Sequence, residues 1–114
     1  MPPTDFAASA YRPMWLFAMF DLPVKTDADR RQYTRFRKLL MREGFFMMQY
    51  SVYARYCPNE ESAQANRAHV EGSLPPKGQV RVLSVTDRQF GKMEVYFGKK
   101  RRPTEHPPEQ LLLF

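Results

Sequence analysis

Hydrophobic residues first become continuous at Met14, and Trp15-Leu16-Phe17-Ala18-Met19-Phe20 is apolar at both parities. A strand without polar alternation has to be covered on both faces, so this segment is predicted as an interior strand of a sheet. It ends at Asp21-Leu22-Pro23, where proline stops the ladder. Thr26 and Asp29 have the spacing of a capping box, with the shorter carboxylate, and open a helix over 27–43. Tyr33, Phe36 and Leu40 fall on one side of that helix, and Arg31, Arg35, Lys38 and Arg42 on the opposite side. Gly44 supplies the C-cap.

Residues 45–56 read as one long second strand. Its predicted core parity is Phe46, Met48, Tyr50, Val52, Ala54 and Tyr56; Phe45, Met47, Gln49, Ser51, Tyr53 and Arg55 form a mixed face. A shorter, more polar helix follows over 59–73, and Pro75-Pro76-Lys77-Gly78 is a turn. Residues 80–86, rich in β-branched side chains, are a third strand; residues 93–97 are a fourth, with a short helix over 87–91 as an option between them. At 114 residues the chain has the length of one domain. The predicted class is α+β: a ferredoxin-like sandwich with an antiparallel sheet and helices on one face. The leader is 1–13, the domain 14–98, and 99–114 a basic and apolar tail with room for an extra strand.

Charge sharpens this picture. Lysine and arginine outnumber aspartate and glutamate 18 to 12, a formal net charge of +6. The surplus sits in two blocks. Residues 30–42 carry Arg30, Arg31, Arg35, Arg37, Lys38 and Arg42 with no acidic residue among them. Residues 77–102 carry Lys77, Arg81, Arg88, Lys92, Lys99, Lys100, Arg101 and Arg102 against Asp87 and Glu94. Blocks of this kind point to a polyanionic partner. The single cysteine, Cys57, excludes an intrachain disulfide framework and fits a reducing compartment. The chain lacks a run of about 18 apolar residues and a secretory pattern, so a cytoplasmic protein without a membrane partner is expected.

The candidate chemistry is sparse. His69, His106 and Cys57 stand at no spacing that makes a triad or a metal site, and the chain has no P-loop or glycine-rich dinucleotide motif. Asp21 is different: a carboxylate at the end of a predicted buried strand needs hydrogen bonds, an ion pair or a cation. It reads either as a cap on the turn or as a magnesium ligand. One carboxylate is a thin metal site, and a twofold axis pairing two copies of Asp21 would supply the second. Ser51 and Asp87 are candidate assistants whose distance from Asp21 spacing does not fix. At the other end, Leu111-Leu112-Leu113-Phe114 leaves four apolar residues to be covered, by a neighbouring subunit or by the domain's own surface.

Read in order, Met14-Trp15-Leu16-Phe17, Phe20-Asp21-Leu22-Pro23, Phe36-Arg37-Lys38, Gly44-Phe45, Met48-Gln49-Tyr50-Ser51-Val52-Tyr53, residues 75–82, Thr86-Asp87 and Gln89-Phe90-Gly91 resemble the Cas-two family of CRISPR-associated proteins. They are most similar to the form found beside Cas-nine effectors. The resemblance runs over about residues 14–100, and Met14 matches the usual family start, which makes 1–13 either an extension or an early-start assignment. It implies a homodimer with the two sheets face to face. It also implies that the dimer bridges two dimers of the Cas-one integrase and holds duplex DNA for spacer acquisition. Some members are described as Mg2+-dependent endonucleases on single-stranded RNA or duplex DNA, with the aspartate after the first strand as metal ligand and catalytic residue; that position is Asp21. The expected nucleic-acid contacts are Arg31, Arg35, Lys38, Arg42, Lys77, Arg81, Lys99, Lys100, Arg101 and Arg102. The apolar end, Leu111, Leu112, Leu113 and Phe114, fits a contact to the integrase. An RNA-recognition module on the same fold is the weaker alternative. Gly44-Phe45-Phe46-Met47-Met48-Gln49-Tyr50 echoes its aromatic signature, but on the second strand and without the leading basic residue.

Overall fold

The computed structural model describes residues 12–108. Most of the expected leader and the apolar residues Leu111, Leu112, Leu113 and Phe114 lie outside them. Strand β1 (Met14–Asp21) is the interior strand its pattern demanded, paired antiparallel to two neighbours. Met14, Leu16, Ala18 and Phe20 pack in the core layer under the long helices. Trp15 and Phe17 pack in a second layer on the other face of the sheet. Both faces are dry over most of the strand because both parities are apolar.

Helix α1 (Asp27–Arg42) starts at the predicted capping box: the Asp29 amide donates to Thr26 Oγ1 at 3.0 Å, and the Thr26 amide donates to Asp29 Oδ2 at 3.3 Å. Phe36 and Leu40 are buried against the sheet. The helix ends at Glu43, and Gly44 follows at φ +91°, the left-handed position that glycine fills without a Cβ clash.

The single strand expected over 45–56 is instead a hairpin. Strands β2 (Phe46–Gln49) and β3 (Val52–Cys57) pair antiparallel through Phe46–Ala54, Met47–Tyr53 and Gln49–Val52, with a bulge between Met47 and Gln49. Tyr50 and Ser51 make the turn, with Ser51 at φ +61°. Reversal and bulge overturn the parity reading. Phe45 and Tyr53, expected on the mixed face, are buried beneath the helices, whereas Phe46 and Tyr50 are exposed. Ala54 and Tyr56 are buried, but in the layer on the opposite face.

Helix α2 (Glu60–Glu71) is capped by Asn59, whose side chain accepts from the Ser62 amide at 2.8 Å. Strand β4 (Gln79–Thr86) then pairs with β1, completing the sheet order β2-β3-β1-β4. That order on a βαββαβ chain is the ferredoxin-like arrangement.

Short helix α3 (Asp87–Gly91) turns back over the second face. There Phe90 stacks on Trp15 with ring centroids 3.8 Å apart and planes within 7°. The predicted fourth strand does not join the sheet. Strand β5 (Val95–Phe97) pairs with β6 (Lys100–Arg102) in a separate hairpin, because Gly98 at φ +65° and Lys99 close a two-residue loop that folds β5 onto the basic run. Among the described residues no helix is long and apolar enough to cross a membrane.

Candidate carboxylate site and nucleic-acid interface

Side chains alternate along a strand, so Asp21 shares the face of Trp15, Phe17 and Met19, away from the long helices. Phe20 and Leu22 on either side are buried, but Asp21 is exposed. The expectation of a carboxylate needing compensation for burial is therefore corrected: the strand's parity delivers it to solvent. Its side chain makes no hydrogen bond or ion pair among the described residues. That leaves both oxygens available, and it removes the reading of Asp21 as a side-chain cap on the turn.

The backbone at Asp21 is tightly held. On one side Asp21 is in register with Gln79 of β4, and Gly78 at φ +91° lies so close that a Cβ there would stand 2.6 Å from the Asp21 carbonyl oxygen. On the other side the Phe20 amide donates to the Ser51 carbonyl at 3.0 Å, which carries the β1–β3 ladder one step past Met19–Val52. Ser51 Oγ and the Tyr33 hydroxyl are 3.2 Å apart, and the Tyr33 ring packs edge-on against Phe20. Tyr50 lies over Tyr33 with centroids 6.3 Å apart and is 77% exposed. Hydrogen bonding with Tyr33, then the repulsion between the two phenolates, holds the Tyr50 phenol above its ordinary value. Tyr53 is raised chiefly by burial.

Of the two candidate assistants, Ser51 adjoins Asp21 through backbone. Asp87 does not: it accepts from Trp15 Nε1 at 2.7 Å, near the opposite end of β1. The sequence pattern by itself does not mark Gly78 or Tyr33 as site residues. The signal for Gly78 was its place in the Pro75-Pro76-Lys77-Gly78 turn, whereas Tyr33 read only as a core position of α1.

The basic residues fall into four places. Arg31, Arg35, Lys38 and Arg42 are exposed and share a shallow groove along α1 with Asp27, Arg30 and Thr34; of these Arg30 is ion-paired with Asp27. Lys77 stands at the turn before β4, its ammonium 3.9 Å from Asp29. Arg81 pairs in register with Met19, so it lies on the Asp21 face of the sheet and not with the helix stripe; its Nε donates to Gln79 Oε1 at 3.3 Å. Lys99 closes the β5–β6 loop, and Lys100, Arg101 and Arg102 form β6, with the Arg102 guanidinium 5.7 Å from the Phe97 ring centre. The helix stripe and Arg81 thus belong to opposite faces of the sheet.

As a metal site the arrangement is spare. Among the described residues no group of three or more histidine, cysteine or acidic side chains comes together. A hard cation such as Mg2+ takes one or two carboxylates plus water and phosphate oxygens, so the exposed Asp21 carboxylate would fit the low end of that donor set.

The sequence of residues 14–93 matches the family model described as CRISPR associated protein Cas2. The chain belongs to the Cas2 family. It is 52% identical over 101 residues to a CRISPR-associated endoribonuclease Cas2 of Parvibaculum lavamentivorans, covering 89% of this chain and 100% of that one. Proteins of the same name from Flavobacterium psychrophilum (42% over 104 residues; 91% and 90% covered) and Ligilactobacillus salivarius (42% over 100 residues; 88% and 99% covered) are similar over almost the same span. The Cas2 match takes in β1 through α3, and with them Asp21, Ser51 and Gly78.

Proposed function

We propose that this Cas2-family chain is a homodimeric CRISPR adaptation subunit that binds duplex DNA and bridges Cas-one integrase dimers. The observation that carries the DNA reading is the exposed row Arg31, Arg35, Lys38 and Arg42. It repeats at helical spacing with no acidic side chain interleaved. Such a row contacts phosphates without reading bases, which suits a protein that must hold duplexes of many sequences. The dimer reading rests on the second face of the sheet. There α3 covers Trp15 and Phe17, but Met19, Val52 and Val85 stay partly exposed and Leu83 is 49% exposed. Packing two such faces together buries them and brings two Asp21 side chains toward one axis. Leu111, Leu112, Leu113 and Phe114 are proposed as the integrase contact.

A second activity, metal-dependent cleavage of single-stranded RNA, is favoured by one observation: Asp21 is an exposed, unpartnered carboxylate on a gripped backbone. The relatives above carry the name endoribonuclease. Paired Asp21 side chains would hold Mg2+, which when bound supplies an activated water and stabilises charge on the phosphate. The residues of this chain orient that site, with Asp21 providing the oxygens and Arg81 on the same face providing positive charge for a phosphate.

Labelled single-stranded RNA and duplex DNA, with Mg2+ or chelator, test the cleavage reading on wild-type and Asp21→Ala protein purified in parallel. Cutting of RNA that needs Mg2+ and disappears in Asp21→Ala is expected; equal cutting by both proteins overturns it. Duplex binding over a salt series tests the adaptor reading, and salt-independent binding overturns it.

A further inference from the structure

Left-handed backbone at a residue other than glycine is costly and persists where its surroundings over-determine it. Among the described residues Ser51 is the one non-glycine residue with positive φ. Glycine would adopt φ +61° without strain, so the serine side chain has to be explained by what it touches.

It touches Tyr33, and the contact closes a ring of interactions. The Tyr33 hydroxyl meets Ser51 Oγ at 3.2 Å, the Ser51 carbonyl takes the Phe20 amide at 3.0 Å, and the Phe20 ring packs back on Tyr33 with centroids 5.8 Å apart. Phe20 is the residue before Asp21. Opposite this ring, Asp21 pairs in register with Gln79 of β4, and Gly78 just before it leaves room for the Asp21 carbonyl, where a Cβ would stand at 2.6 Å. The end of β1 is therefore held from both sides, by the Gln79 pairing on β4 and by the Ser51 carbonyl, whose residue is in turn tied to Tyr33 through its hydroxyl.

We infer that Ser51 and Tyr33 are positioning residues that fix the direction of the Asp21 carboxylate for a divalent cation. The inference rests on the proposed role of Asp21. A carboxylate that must share an ion with its twofold copy has little tolerance for sideways drift of its strand end. The Ser51–Tyr33 contact removes that drift without touching the ion or the substrate. The turn thus places its strain next to the one exposed carboxylate of the strand, where rigidity has a chemical use.

Full-length Ser51→Gly and Tyr33→Phe proteins test this, with Mn2+ as the probe followed by its paramagnetic resonance, and RNA cleavage with Mg2+ as the second readout. Ser51→Gly relieves the strain while deleting the hydroxyl, so its melting temperature is expected to hold. Its Mn2+ affinity and kcat are each expected to fall about tenfold, with KM for RNA unchanged. Tyr33→Phe should do the same, and Ser51→Asn, which tolerates the left-handed region and can bond Tyr33, should recover most of the loss. Wild-type Mn2+ affinity and kcat in both Ser51→Gly and Tyr33→Phe overturn the inference. So does a loss that follows the melting temperature, which would mark general loosening. Asp21→Asn separates the two levels. If it loses Mn2+ and cleavage while Ser51→Gly keeps both, only the positioning role falls. If it keeps both, the Asp21 site falls and the positioning role with it.

Discussion

Trp15 Nε1 donates to Asp87 Oδ1 at 2.7 Å, joining the start of the central strand to the first residue of α3. Trp15 is almost wholly buried, so its indole N–H depends on the half-buried Asp87 for a partner. Asp87→Ala should cost about 1–3 kcal/mol, the penalty of an unsatisfied buried donor. Urea unfolding measures it. Because Asp87 sits at the far end of β1 from Asp21, the residual Mg2+-dependent cleavage per folded molecule should be unchanged.

Gly78 and Gly91 make a matched pair. Alanine at Gly78 meets both a positive φ and a carbonyl oxygen at 2.6 Å, so it should destabilise by about 2–4 kcal/mol. Alanine at Gly91, which has open space around it, should be neutral or stabilise by about 0.5 kcal/mol. Thermal melts of the two variants, compared with wild type, separate a close backbone approach from an ordinary helical glycine.

Replacing Arg31, Arg35, Lys38 and Arg42 together by glutamine should flatten the salt dependence of duplex binding. Up to four lost phosphate contacts lower the slope of log K against log salt by about 3–4. Fluorescence anisotropy on a labelled duplex at several salt concentrations reads the slope directly. An unchanged slope would remove the helix stripe from the footprint.

Burial pushes the Cys57 thiol above its ordinary 9.0, although Arg55 nearby pulls it down. The unfolded chain then ionises this thiol before the folded one does. The folded state keeps its full advantage below pH 9.0 and loses it as pH rises from there through the raised value. Tyr53 and Tyr56, both raised by burial, extend the loss above pH 10.0. Urea midpoints between pH 8 and 11 should fall (roughly the span of these ordinary values), and Cys57→Ala should delay the first part of the fall.

What the sequence made legible, and what it hid, has a physical basis. The doubly apolar run of β1 and the Thr26–Asp29 box are strong local signals, and both the interior strand and α1 follow them closely. The hairpin over 46–57 has no such signal, since Tyr50-Ser51 carries none of the Asn, Asp or Gly that mark a two-residue hairpin loop. Its left-handed residue is stabilised by Tyr33 and Phe20, contacts visible only after folding. The same miss inverted the inside and outside of Phe45, Phe46, Tyr50 and Tyr53. Asp21 was found from its place in the chain, yet its exposure depends on parity counted from Trp15 and not on the flanking Phe20 and Leu22.

The central strand also dictates how the chain must be made. Met14–Asp21 pairs on one side with Val52–Cys57 and on the other with Gln79–Thr86. A ribosome therefore releases the strand long before it releases the partner that closes its second edge. Until then, eight mostly apolar residues offer a bare ladder to any neighbouring chain. Premature termination between α2 and β4 is thus expected to yield aggregates and not a smaller folded core, with the sheet closing only after residue 86 has cleared the exit tunnel.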